Sequence, residues 1–204
     1  MDSLEGLSVM VRHQRWCGVG GTLLAMGALA LTAVPAMATT NTSLTVDNSS
    51  GTTSCTSPPA PSIAWSPTSF GFGTITLSGS NQTPTATNTL TVTDSSGCGD
   101  GWNVTATGTE LYNGAEYITS QPSFPVTSWT CSSGSTCTLP SNTTSAYSMP
   151  VGTTAPTATT FVTAATGTGM GAQQTSEAIS LLVPASAYAG TYSATWTFTS
   201  AVGP

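Results

Sequence analysis

Acidic, basic and imidazole side chains are few in this 204-residue chain: eight carboxylates, two arginines and one histidine. Their positions decide what chemistry they permit. Arg12, His13 and Arg15 all fall within the first 38 residues, and beyond them the chain has no Lys, Arg or His. The remainder carries only Asp47, Asp94, Asp100, Glu110, Glu116 and Glu177. Without histidine there is no imidazole base or metal ligand. Without lysine or arginine there is no Schiff base, no phosphate clamp and no basic surface for nucleic acid. Such a chain is expected to be a scaffold or binding surface, not an enzyme.

The acids allow three further readings. Asp94 and Asp100 bracket Gly97-Cys98-Gly99 and are candidates to hold Ca²⁺ with backbone carbonyls. Two carboxylates are few for that ion and the spacing is not that of an EF-hand, so a solvated turn without a cofactor is favoured. Glu110 and Glu116 could form a glycosidase pair, but flanking Tyr112-Asn113-Gly114 they read better as the ends of a hairpin loop. An N-terminal Thr39, if exposed by processing, is a known nucleophile type, yet it would head a flexible spacer. The Asn-x-Ser/Thr triplets at Asn41, Asn48, Asn81, Asn103 and Asn142 follow from threonine abundance alone.

The cysteines set the compartment. Cys17 lies in the leader, and Cys55, Cys98, Cys131 and Cys137 remain, an even set suited to disulfides in an exported chain. Cys131 and Cys137 flank the turn-forming Ser-Ser-Gly-Ser-Thr, which makes them the expected pair. Cys55 with Cys98 would then tie the entry segment to the domain. No His or CxxC pair accompanies them, which argues against a metal site.

The elements that must position these residues begin with a leader. Arg12 and Arg15 form its positive region, residues 16–34 its apolar stretch, and Ala36-Met37-Ala38 a small-x-small cleavage site. Residues 1–38 are expected to be a signal peptide removed before Thr39, with Met10 an alternative start. No second apolar run of spanning length follows, so no membrane contact is expected after cleavage. Residues 39–62, rich in Ser, Thr, Asn and Pro, read as a disordered spacer. The domain is placed over residues 63–204.

Within it the period is two. Trp102, Val104 and Ala106 alternate with Asn103, Thr105 and Thr107; Tyr192, Ala194, Trp196 and Phe198 alternate with Thr and Ser. Thr89 to Thr93 and Ile179-Leu181-Val183 mark further strands. Further candidates lie at 72–77, 126–130, 136–139, 146–151 and 159–163. Threonine suits the wet face of a strand, and glycines and prolines separate the runs. Charged residues are 5% of the chain, against about 25% in ordinary domains. The expected class is all-β, an antiparallel β-sandwich of Ig-like or Greek-key type, with one helical turn near residues 184–189.

Two segments resemble the WxL cell-surface domain of Gram-positive bacteria. Val92-Thr93-Asp94-Ser95-Ser96-Gly97-Cys98-Gly99-Asp100-Gly101-Trp102-Asn103-Val104 is similar to that family's proximal segment, in which an Asp and a Gly-rich turn lead into Gly-Trp-x-Leu. Val183-Pro184 and Ala189-Gly190-Thr191-Tyr192, running on to Pro204, are similar to its closing segment. The chain departs from the pattern where Val104 replaces Leu, Phe198 stands in the slot of the second Trp, Ser200 stands in that of the second Leu, and Trp196 comes two residues early. A shift of two keeps a side chain on the same face.

The resemblance implies a secreted, non-catalytic domain held noncovalently on the cell wall, with peptidoglycan glycan as ligand and other surface proteins as companions. Direct attraction to wall polyanions is excluded by charge, −6 overall with both arginines in the leader. Contact must use aromatic faces, hydroxyls and amides, or bridging cations. Trp102, Trp196 and Phe198 fall on the apolar face and are expected in the core; Trp65 and Trp129 are the candidates for glycan contact. The rival reading is a structural subunit of an extracellular fibre or coat, built by strand exchange. Leu44 and Val46, alternating with Thr45 and Asp47, would be the donor. A chain without lysine beyond the leader cannot form Lys–Asn cross-links, and Leu139-Pro140-Ser141-Asn142-Thr143 lacks the tail of a sortase signal.

Overall fold

Threonines facing outward, with Ala86, Leu90 and Val92 facing inward, form one of the two ten-residue strands, Thr85–Asp94. The computed structural model describes Leu44, Val46 and residues 54–125, 128–140 and 146–204. Residues 1–38, Thr39, Asn41, Thr45, Asp47, Asn48 and Asn142 lie outside the described residues, as do residues 126 and 127 of one expected strand. Twelve strands are present among the described residues: β1 (Ser62–Ser66), β2 (Thr85–Asp94), β3 (Trp102–Thr109), β4 (Leu111–Tyr112), β5 (Tyr117–Ile118), β6 (Ser123–Phe124), β7 (Thr130–Cys131), β8 (Tyr147–Ser148), β9 (Val151–Gly152), β10 (Thr159–Ala164), β11 (Gly171–Ser180) and β12 (Trp196–Val202).

The larger sheet has six strands in the order β1-β2-β11-β6-β8, with β7 also paired to β11. The smaller runs β10-β3-β12, with β9 beside β3 in the parallel sense. Every other pairing is antiparallel. The chain is thus an all-β sandwich. β2 turns Leu90 and Val92 inward, and β3 turns Trp102, Val104 and Ala106 inward; with Phe124, Met149, Phe161 and Ile179 they form one core. In β10 both Phe161 and Val162 are buried because the register shifts between Thr160 and Val162, a bulge that places two successive residues on one face.

Several expected strands are shorter than the alternation implied. Residues 72–77 and 136–139 form no strand, and residues 146–151 form only the two short strands β8 and β9. The closing strand begins at Trp196, not Tyr192, and Val183 makes an isolated bridge to Gln82. Residues 184–189 form a turn closed by the Ala187 N–H on the Pro184 carbonyl (3.0 Å), not a helical turn. Over residues 72–77 and 136–139 local alternation is present but no neighbouring strand offers a matching ladder.

Both disulfides are formed: Cys55–Cys98 and Cys131–Cys137. The second closes a turn whose limbs do not pair with each other. Cys131 and Thr130 pair with Gln173 and Gln174 of β11, and the Thr138 N–H reaches the Met170 carbonyl (2.9 Å). The entry segment is tied in ahead of Ile63. Pro61 is buried, and its carbonyl accepts the Ser200 hydroxyl at 2.6 Å.

Candidate functional site

Trp102 is the largest fully buried side chain among the described residues. The glycine turn before it delivers the indole inward, where it is fully buried. Its Nε1–H donates to the Gly169 carbonyl at 2.9 Å, and Gln173 Nε2 donates to the same carbonyl at 2.6 Å. Gly169 has φ +73°, and a Cβ there would collide with the Trp102 ring and Ala164. Only glycine combines that backbone with so close an indole. Val104 lies on the same buried face.

The closing segment lies directly against this one. In the β3–β12 ladder Trp102 faces Val202, Val104 faces Ser200, Ala106 faces Phe198 and Gly108 faces Trp196. The ladder continues past both strands: Gly203 N–H donates to the Gly101 carbonyl (3.0 Å) and Asn103 Nδ2 to the Gly203 carbonyl (2.8 Å). Gly108 leaves room for the Trp196 ring, which a Cβ would strike. The two segments singled out in sequence are therefore adjacent strands of one sheet.

Trp65 and Trp129, the expected glycan contacts, are half-buried. Trp65 lies among Phe198 (5.0 Å between centroids), Phe70 (5.1 Å), Phe124 and Phe161 (both 6.3 Å). Trp129 meets Trp102 edge-on at 6.2 Å. Trp196 and Phe198 are likewise half-buried against the core. Tyr192, also half-buried, donates its hydroxyl to the Tyr188 carbonyl at 3.0 Å.

The open aromatic faces are tyrosines that the sequence reading did not select. Tyr112 and Tyr117 are cross-strand partners in the β4–β5 hairpin, stacked at 4.4 Å and exposed. Tyr188, 65% exposed, belongs to the segment this hairpin packs on: Tyr112 bridges Ser193, and the Asn113 side chain lies against Gly190. The available signal was Tyr112-Asn113-Gly114, a turn that sets aromatics opposite each other across a hairpin. Beside these tyrosines runs a groove of about 1150 Å³, lined by residues 68–77 on one side and 187–196 on the other, with Leu111 and Ile118.

The carboxylates are dispersed. Asp94 is buried rather than solvated, because its Oδ1 accepts the Ser96 N–H (2.9 Å) and closes the turn. Asp100 is half-buried. Glu110 directly precedes β4 and Glu116 ends the turn before β5, where the Glu116 and Ala115 N–H groups are held by Asn113 Oδ1. Among the described residues no group of three or more His, Cys, Asp or Glu is placed to hold a metal ion. Glu177, which the sequence reading only counted, is buried on β11 opposite Asn88 of β2, with Thr175 donating to its Oε1 at 3.4 Å. The Tyr147 hydroxyl has its pKa raised by burial, partly offset by its 2.8 Å hydrogen bond with Thr159.

Comparison with protein-family models, curated proteins and solved structures finds no match.

Proposed function

We propose that this chain is a secreted, non-catalytic surface protein that associates noncovalently with the bacterial cell wall through a WxL-like domain, with peptidoglycan glycan as its ligand. The observation that supports this reading is the β3–β12 pairing. The two segments that resemble the WxL pattern, a hundred residues apart in sequence, meet as neighbouring strands with Trp102 opposite Val202. A resemblance in order alone would not require that adjacency. The contact surface assigned to the glycan is the exposed tyrosine set, Tyr112, Tyr117 and Tyr188, because sugar rings stack on open aromatic faces, whereas Trp65 and Trp129 give most of theirs to the core.

A pull-down on isolated walls across a salt series, with and without chelator, tests this. A chain with no base beyond its leader is repelled by wall polyanions at low ionic strength. The Debye length falls from about 10 Å at 0.1 M to about 3 Å at 1 M. Retention is expected to hold or rise with salt, to survive chelation, and to fall in Tyr112→Ala/Tyr117→Ala and Tyr188→Ala. Release by moderate monovalent salt would refute it, since that requires an ionic contact the domain cannot make directly.

A further inference from the structure

The groove beside residues 68–77 is bordered by backbone that no strand has claimed. Phe70, Phe72, Ile75 and Leu77 sit in a run outside any strand that turns at Gly73 (φ +72°), and among the described residues no backbone–backbone hydrogen bond joins residues 68–80 to a neighbour. Only two of its carbonyls are taken by side chains, Ser69 by Asn88 (3.0 Å) and Thr76 by Gln82 (2.7 Å). Trp196, whose buried indole N–H has no acceptor among the described residues, lines the same groove. Natural sheets guard open edges with charges, lysine above all. Here residues 68–80 and the edge strands β1, β10 and β12 contain no charged residue. Backbone donors and acceptors next to an apolar trough are what strand addition requires.

A segment of matching character occurs in the same chain. Leu44 and Val46 are 86% and 73% exposed. They stand two apart, so an extended backbone presents both on one face. Val46 lies nine residues before Cys55, which is fixed to the domain through Cys98. An extended chain of that length reaches about 30 Å beyond its anchor. We infer that the groove lined by residues 68–77 and 187–196 is an acceptor for the Leu44-Thr45-Val46 strand of a second copy, so that the protein self-associates head to tail. Donor and acceptor are different surfaces, so the contact is heterologous and chains of copies extend. This inference does not rest on wall binding.

The experiment is size-exclusion chromatography with light scattering on the purified protein over a concentration series, with a synthetic peptide of residues 42–48 as probe. The expected result is oligomers that grow with concentration and return to monomer when the peptide occupies the groove. Leu44→Asp/Val46→Asp removes the donor. Leu77→Asp puts a carboxylate on the exposed rim of the acceptor, with near-UV dichroism reporting that the aromatic cluster is intact. Each variant alone is expected to be monomeric, and an equal mixture to form a dimer, because one keeps the groove and the other the strand. A wild type that stays monomeric at every concentration overturns the proposal, whether or not it binds peptide. Oligomers that the peptide does not cap, or that persist in the donor variant, overturn it as well.

Discussion

Trp102 shows how much one side chain can depend on its seat. Its indole is enclosed, and its N–H shares the Gly169 carbonyl with Gln173. Trp102→Ala is expected to cost about 3–5 kcal/mol, the range for emptying an aromatic site. Trp102→Phe should cost less, because Gln173 still satisfies the carbonyl. Denaturant midpoints of the two variants check that order. Tyr147 supplies a pH test. Its hydroxyl is held between the Ala106 and Thr159 carbonyls and the Thr159 hydroxyl, and burial raises its pKa. A group whose folded pKa is raised contributes stability that is fully present below its unfolded value, about 10, and is lost as pH climbs through the folded value. Stability should therefore decline above pH ~10, and Tyr147→Phe should flatten that decline in thermal melts.

At the level of strands, Trp102, Val104 and Ala106 could be read directly because their alternation is apolar against polar. The same rule reached only the end of β11, at Ile179. The other inward residues Gln173, Thr175 and Glu177 are polar, so no apolar stripe marks the rest of the strand. Its burial is tolerated because each side chain has a local hydrogen-bond partner: Gln173 reaches two carbonyls, and Thr175 donates to Glu177. Residues 72–77 failed in the opposite sense, alternating without a ladder. Alternation measures which face a residue turns, not whether a neighbour is there to pair. The disulfides were legible from parity and from the turn between Cys131 and Cys137. In the chain-entropy model, opening Cys131–Cys137 by Ser substitution should cost about 2 kcal/mol and opening Cys55–Cys98 about 4 kcal/mol, a difference visible in non-reducing urea titrations.

The whole molecule carries its clearest signature in what trypsin cannot do. Arg12 and Arg15 are the only Lys or Arg residues, so even reduced and unfolded protein should survive digestion from residue 16 onward. Intact mass after treatment measures this, and any cut beyond Arg15 would contradict it. The Cys55–Cys98 link has a mechanical consequence as well. Tension entering along the segment before Cys55 passes through the sulfurs to Cys98, so β1 and residues 67–84 are bypassed and carry no pull. It reaches the fold at Trp102, and if the opposing force acts at Pro204 it leaves from Val202, the directly opposed residue of the neighbouring strand. Force at that corner peels the β3–β12 ladder bond by bond instead of shearing all its bonds together. Stretched between its entry segment and its C-terminal end, the sandwich should open as a zipper at low force, starting from the seat of its deepest tryptophan.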